Sequence, residues 1–343
     1  MGHRASVAVP RQTVLYAADE YFWQHTYVSL HSLLANNRDI AFDVRILSEA
    51  PNERFFANCI LLQDMHGDVE ISWLPVDDVL LTDAPTSITY ITRATYYRLL
   101  IGHLLPATVR RVLYLDGDTI IRGSLRDLFT LDIDDWVLAA TPEYAPFSHP
   151  ARLGLPHGTP YFNAGVLHIN LDLWRILEIE DRCLEYIQTN ASDSSQLEYL
   201  DQDALNAVLS GKWRPIGPTF NFTSWTSDPQ RLNDFDARTQ MGGQIPAGGP
   251  AIAHYTGKHK PWQGGSPHPY ESDYWHYRRQ TPYADHLKMM RSKLFNIGWK
   301  VRLAVGGVGR TLPLGKPLVR VARAIVQGTR TSVFRATKER SWK

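Results

Sequence analysis

The stretch that most constrains the fold is Arg111-Val112-Leu113-Tyr114-Leu115-Asp116-Gly117-Asp118-Thr119-Ile120-Ile121-Arg122. An apolar run of strand length rises to two carboxylates two residues apart and then turns apolar again. That is the pattern of a buried parallel strand whose C-terminal end presents both acids. Residues i and i+2 of a strand point to the same side, which sends Asp116 and Asp118 toward one point. Two carboxylates held together repel unless a cation sits between them, and oxygen ligands suit Mg²⁺ or Mn²⁺ with positions left open for a substrate phosphate. One reading is therefore a metal-diphosphate site at the carboxyl edge of an α/β sheet, where such ligands usually bind. The other is a polar turn following a strand, because a short Asp-x-Asp pattern also arises by chance.

The residues before this stretch set a rhythm. Thr13-Val14-Leu15-Tyr16-Ala17-Ala18-Asp19-Glu20 is a β-type run that stops at small residues and acids, and 22–35 places Val28, Leu30, Leu33 and Leu34 on one helical face. Ala17 and Ala18 leave room for a flat base or ribose, and Asp19 is either a hydrogen-bond acceptor for it or a helix cap. Phe42-Asp43-Val44-Arg45-Ile46 alternates as a second strand, 52–65 follows as a helix, and 68–74 alternates again. Strand and helix in this order predict a parallel sheet covered on both faces. Thr92–Leu105 reads as a helix in which Arg98 sits among Tyr96, Tyr97, Leu99 and Leu100, either as a structural ion pair or as a ligand contact.

After the central strand come a short helical turn at 124–128, a strand at 136–141 and a proline-rich loop over 142–162, the kind of segment that forms a lid or binding wall. Asn163-Ala164-Gly165, opening an apolar run, supplies one amide and two residues small enough for a ligand to approach the backbone. A helix is expected over 172–189, and another opens at Asp201-Gln202-Asp203 with Asp201 as its N-cap and Gly211 closing it. Gln202, one residue inside, has no such structural reason to be there. The last cluster, Ile252 to Trp262, offers His254 as a metal ligand, Gly257 for close backbone approach and Lys260 as a phosphate counter-charge; each is also an ordinary surface residue type.

Composition enters through charge. The 343 residues carry a net +1, yet Leu287–Lys343 holds fourteen Lys and Arg against Glu339 alone, a net +13 that leaves residues 1–286 at −12. Two regions are expected: an acidic body, 1–286, and a basic tail, 287–343, whose 317–330 segment has the pattern of an interfacial amphipathic helix suited to an anionic membrane surface. No nucleic-acid motif is present in the body. Met1–Gln12 lacks an apolar h-region and no eighteen-residue apolar run occurs, so neither a signal peptide nor a spanning helix is expected. Cys59 and Cys183, far apart, fit reduced thiols.

Six segments, in this order, resemble glycosyltransferase family 8, which includes bacterial lipooligosaccharide galactosyltransferases and glycogenin. They are Tyr-Ala-Ala-Asp at 16–19, Thr-Tyr-Tyr-Arg-Leu at 95–99, Val-Leu-Tyr-Leu-Asp-Gly-Asp at 112–118, Phe-Asn-Ala-Gly-Val-Leu at 162–167, Asp-Gln-Asp-Ala-Leu-Asn at 201–206 and His-Tyr-Thr-Gly-Lys-His-Lys-Pro-Trp at 254–262. The resemblance implies a GT-A-type, Rossmann-like α/β fold with a mostly parallel sheet. It also implies a retaining transfer of galactose or glucose from a UDP-sugar to a saccharide or glycolipid acceptor, with Mn²⁺ or Mg²⁺; the basic tail, separately, is expected to hold the protein on the cytoplasmic face of a membrane. Position by position, Asp116, Asp118 and His254 resemble the metal ligands, and Ala17, Ala18 and Asp19 the uridine seat. Arg98 is similar to a donor contact, Asn163, Ala164, Gly165 and Asp201 to donor-sugar contacts, and Gly257 with Lys260 to the diphosphate pair. Gln202, with Asp201 and Asp118, resembles the catalytic set. Tyr21 stands where related galactosyltransferases have Asn. Gly117 replaces a commoner aliphatic residue, and the strand end is expected to loosen there.

A retaining glycosidase would place two carboxylates about the bond with one as nucleophile. An amide at the reacting face is a poor nucleophile, so same-face substitution through an oxocarbenium-like state is expected, with Gln202 stabilising it. Two alternatives stand beside this: a non-catalytic nucleotide-sugar binder of the same fold, and a haloacid dehalogenase-type phosphohydrolase suggested by Asp116-Gly117-Asp118-Thr119.

Overall fold

The computed structural model describes residues 11–81, 84–85, 92–143, 150–192, 197–227, 245–264 and 266–284. The chain divides into two compact units, one of residues 1–258 with 267–284, the other of residues 259–266 with 285–343. In the second, the described residues form a 3₁₀ turn, Pro261–Gln263, with Lys260 at its N-cap. The basic tail and its 317–330 segment lie outside the described residues.

The first unit is built on β1 (Gln12–Ala17), α1 (Trp23–Asn36), β2 (Phe42–Ser48), α2 (Glu53–His66) and β3 (Val69–Pro75), the predicted alternation. Asn52 caps α2, its side chain accepting from Phe55 N. There follow a 3₁₀ helix Arg93–Leu99, α3 (Ile101–Leu104), β4 (Arg111–Leu115), β5 (Thr119–Ile121), α4 (Arg126–Phe129), β6 (Leu138–Pro142) and β7 (Phe162–Asn170). Then come α5 (Leu171–Ile176), α6 (Ile179–Asn190), α7 (Asp201–Val208), β8 (Trp213–Pro215), β9 (Ile252–His254) and α8 (Glu271–Arg278).

The main sheet runs β3-β2-β1-β4-β7-β6-β8. Its first four strands are parallel, as the pattern predicted, and β7 is antiparallel to both β4 and β6, so the sheet is mixed and mostly parallel. The reversal carries the site. With Leu115 opposite Val166, the first residues of β7 (Asn163, Ala164 and Gly165) arrive at the C-terminal end of β4.

Side-chain alternation along β1 and β4 builds a core on each face: Leu15, Val112 and Tyr114 on one, Val14, Tyr16, Leu113 and Leu115 on the other. Helix α1 is buried around most of its girth rather than along one stripe, and its Thr26, Ser29 and Ser32 are buried too. The hydroxyls have partners there: Ser29 Oγ lies 2.9 Å from Thr119 Oγ1, and Ser32 Oγ accepts from Ile121 N at 2.9 Å. This seats α1 against β5, which pairs with β9 in a separate two-stranded sheet that sets Thr119 opposite His254.

Two predicted helices are broken. Residues 92–105 form the 3₁₀ helix and α3 instead of one α-helix, and 172–189 divides at Glu178, whose φ of 51° is left-handed. Helix α7 begins at Asp201 with Leu200 as N-cap, so Asp201 is not the cap, and Gly211, φ 73°, falls beyond the C-cap Leu209.

Candidate active site

Strand β4 ends at Leu115, and Asp116–Asp118 form the turn into β5, with Thr119 N and Thr119 Oγ1 both donating to Asp116 O at 3.2 and 2.8 Å. The two acids converge because the chain turns, not because strand residues alternate, which corrects the reason predicted for the same outcome. Gly117 does not loosen this turn. A Cβ there would lie 2.5 Å from Thr26 Oγ1 and 3.4 Å from Phe22 Cδ1, so glycine is what lets α1 press on the turn. The register of β5 with β9 then delivers His254: its Nε2 stands 3.1 Å from Asp118 Oδ1 and 3.6 Å from Asp116 Oδ2. One ligand atom from each of the three residues lies within 4.8 Å of the others.

Three observations fit these residues to a divalent cation. Their donor set is two carboxylates and an imidazole. His254 Nδ1 lies 2.8 Å from Asn221 Oδ1, which leaves Nε2 toward the acids. Beneath them Gly165 is required for space: a Cβ on it would stand 2.1 Å from His254 Cε1 and 2.7 Å from Asp116 Oδ2. Asp116 N donates to Gly165 O at 2.8 Å, so the glycine is hydrogen-bonded to the backbone it makes room for.

Arg98 joins the two halves of the site. It is 5% exposed, with Nη2 2.9 Å from Asp116 Oδ1 and Nε 2.9 Å from Asp201 Oδ2. Nη1 donates to Ala164 O, and the guanidinium lies over the Tyr114 ring at 4.5 Å. The 3₁₀ geometry puts residues i and i+3 in line, so Thr95 and Arg98 meet Asp201 together, the hydroxyl at 2.6 Å. Burial works against the Arg98 charge, and Asp116 and Asp201 outweigh it, pushing its pKa up. Burial pushes the Asp201 carboxyl up to about 6, with Arg98 and Thr95 pulling the other way. Arg98 thus combines the structural ion pair and the place at the site that the sequence left as alternatives.

Gln202 is held at both ends. Its Oε1 accepts from Ala164 N at 2.9 Å and its Nε2 donates to Tyr161 Oη at 3.1 Å. Burial and the neighbouring Asp203 push the Tyr161 hydroxyl well up, so it keeps its proton, donates it to Asp203 Oδ1 at 2.6 Å and accepts from Gln202. Asp203 also takes both guanidinium nitrogens of Arg152, and Asn206 brackets the Phe162 backbone, accepting from its N–H at 2.7 Å and donating to its carbonyl at 2.9 Å. Helix α7 is fastened to the start of β7 in this way.

The remaining predicted residues are placed as follows. Ala18 is buried at the end of β1, and Asp19 takes the backbone N–H groups of Tyr21 and Phe22 at 2.8 and 3.0 Å and the Thr92 hydroxyl. It therefore forms the turn into α1, while the Tyr21 side chain is exposed. Gly257 has φ 77°, a conformation that selects glycine although space is open around it. Lys260 falls in the second unit. Asn221 is fully buried behind His254, donating to Asn163 Oδ1 at 2.9 Å. Asn221, Tyr161, Glu143 and Thr95 were not singled out from sequence as site residues. An asparagine between two phenylalanines, as at 221, reads as core until its partner is known.

No helix among the described residues is long and apolar enough to cross a membrane. Residues 13–265 match the profile of Glycosyl transferase family 8. General stress protein A of Bacillus subtilis (strain 168) is 30% identical over 218 residues, 62% of this chain and 74% of that protein. The lipopolysaccharide 1,2-glucosyltransferase of Escherichia coli (strain K12) is 28% identical over 256 residues, covering 73% and 72%. The crystal structure of the galactosyltransferase LgtC in complex with donor and acceptor sugar analogs superposes with a TM-score of 0.70 at 25% identity, over 80% of this chain and 98% of that one. The phosphohydrolase alternative has no support in these matches.

Proposed function

The chain belongs to glycosyl transferase family 8, and from that premise we propose that it is a retaining, Mn²⁺-dependent hexosyltransferase. Its donor is a UDP-hexose, galactose or glucose, and its acceptor a saccharide or glycolipid of the lipopolysaccharide type. The acceptor class rests on similarity to the E. coli lipopolysaccharide 1,2-glucosyltransferase and the Salmonella typhimurium lipopolysaccharide 1,3-galactosyltransferase. The observation that carries the reading is the convergence of Asp116, Asp118 and His254 over Gly165, with Gln202 fastened to the adjacent Ala164.

Asp116, Asp118 and His254 would hold the cation, which would supply Lewis-acid neutralisation of the departing diphosphate. The other contributions come from the chain itself. Arg98 fixes Asp116 and Asp201 in one frame, so the acid at the diphosphate side and the acid at the sugar side cannot drift apart. Gln202 offers an amide dipole already oriented by Ala164 and Tyr161, which costs no reorganisation when positive charge develops on the sugar. An amide is too weak a nucleophile to favour a stable glycosyl-enzyme, which supports same-face departure and attack.

The test is UDP release from UDP-galactose and UDP-glucose with and without Mn²⁺, together with the NMR spectrum of the product. Transfer should require the cation, yield an α-linkage and vanish in Asp118→Ala with the Tm nearly unchanged. Full activity in a chelator, or an inverted anomeric proton, would overturn the proposal.

A further inference from the structure

Behind the acids, four side chains form one hydrogen-bonded line. Asn163 Nδ2 donates to Glu143 Oε2 at 2.9 Å, and Asn163 Oδ1 accepts both from Gly165 N at 3.0 Å and from Asn221 Nδ2 at 2.9 Å. Asn221 Oδ1 lies 2.8 Å from His254 Nδ1. Asn221 is fully buried, and Asn163 and His254 are 6% and 3% exposed.

The chemistry of the two ends fixes everything between them. A backbone N–H only donates, so Gly165 demands the oxygen of the Asn163 amide; a carboxylate only accepts when ionised, so Glu143 demands its nitrogen. Both ends require the same orientation. The group meeting Asn163 Oδ1 must then be a donor, which turns the Asn221 amide so that its oxygen faces His254. Nδ1 must carry a proton to meet that oxygen, and a neutral imidazole with hydrogen on Nδ1 has its lone pair on Nε2. Nε2 is the nitrogen that faces Asp118 Oδ1 and Asp116 Oδ2. The backbone adds rigidity: His254 N donates to Phe222 O at 2.8 Å and Phe222 N to Ile252 O at 2.9 Å, tying the residue next to Asn221 to β9.

We propose that Asn221 is a positioning residue for the cation site: through the Gly165–Asn163–Asn221 line it selects the His254 tautomer and ring orientation that present Nε2 as a ligand. This deepens, and rests on, the reading that Asp116, Asp118 and His254 bind a divalent cation. Ligating imidazoles are oriented by what their other nitrogen meets, and loss of such a partner typically weakens metal binding about 10–100-fold.

The test uses Mn²⁺ alone with the full chain, free ion being followed by electron paramagnetic resonance, for wild type, Asn221→Ala and Asn221→Asp. The aspartate keeps an acceptor for Nδ1–H but loses the donor to Asn163 Oδ1, so it should bind Mn²⁺ more tightly than the alanine, which should lose about 10–100-fold. A residue of merely structural importance would lower the Tm in both variants without separating their affinities. Long-range ¹H–¹⁵N spectra of the metal-free wild type at pH 8.5 read the tautomer directly and do not depend on any variant folding. An Nδ1–H tautomer supports the proposal and an Nε2–H tautomer overturns it, as does an alanine variant that binds Mn²⁺ as tightly as wild type. If the wild type binds no Mn²⁺ while the spectra show Nδ1–H, the cation reading fails and the tautomer assignment to Asn221 stands.

Discussion

Gly165→Ala isolates the steric requirement of the site. The glycine lies in β7 with ordinary extended backbone, so alanine adds no conformational strain; it adds one carbon. That carbon would stand 2.1 Å from His254 Cε1 and 2.9 Å from His254 Nδ1, and carbons in contact sit about 3.5–4.0 Å apart. The imidazole must therefore retreat by about 1.4 Å or more. Metal-ligand distances tolerate only about 0.2 Å, so a retreat of that size removes His254 from the ligand set. The stability cost should be that of overpacking, about 1–3 kcal/mol, or a Tm lower by roughly 2–12 °C. Mn²⁺ affinity should fall on the order of 100-fold or more. Calorimetric titration with Mn²⁺ and a thermal melt measure both. Gly67→Ala is the control: its φ of 62° makes alanine strained while no atom lies within 4 Å, so the fold is weakened without touching the acids. A Gly165→Ala protein that binds Mn²⁺ within threefold of wild type would refute the reasoning.

Gln202→Ala should lower kcat at least about 100-fold with donor KM changed no more than about threefold, since an amide dipole preset at the reacting face acts in the transition state; steady-state kinetics with equal losses in both would contradict this. For Asp201, burial raises the folded pKa to about 6 from 3.8, so the protonated form stabilises the fold. That stability is fully present below about pH 3.8 and is lost as pH rises through 6, a span worth about 3 kcal/mol. Urea midpoints should accordingly fall between pH 4 and 7 relative to Asp201→Asn, while kcat/KM should rise over the same range as the carboxylate takes hold of Arg98; parallel stability profiles for the two proteins would rule it out. Removing residues 288–343 should release the protein from anionic vesicles while sparing UDP binding, each Lys or Arg near such a surface contributing about 1 kcal/mol, and sedimentation of the truncated chain with vesicles would exclude the tail as the anchor.

The legible parts of the chain were those in which one residue type has one local use. Alternation in 42–46 and 68–74 predicts strands because a half-buried strand has period two, and β2 and β3 are there. The residue pattern alone left Asp116-Asp118 open as a polar turn and His254 as an ordinary histidine, and only the resemblance set the three together as metal ligands. What could not be read was whatever depends on a distant partner. The sequence of β7 does not say which way it runs, and that direction alone decides that Gly165 lies under Asp116. Asn221 carries no mark separating a wall residue from one that meets His254, 33 positions away. The helix predicted over 92–105 failed for the same reason: apolar spacing cannot distinguish it from a 3₁₀ turn whose purpose is to set Thr95 and Arg98 before Asp201.

The charges around Arg98 explain why the site suits a divalent cation in particular. Counted as formal charges, Asp116, Asp118 and Asp201 contribute three negatives and Arg98 one positive. The cluster is thus left at −2 among these groups, which are largely withdrawn from water. Burying excess negative charge is costly, and Arg98 is ion-paired with both Asp116 and Asp201. A monovalent ion would leave one charge over; a divalent ion balances the cluster and leaves it with no net charge of its own to repel an arriving diphosphate. Asp118 is the acid nearest His254 Nε2. Losing it therefore brings the cluster to −1 and removes the reason for a divalent ion, which is why Asp118→Ala should lose the cation while the Arg98 frame, and with it the fold, stays in place.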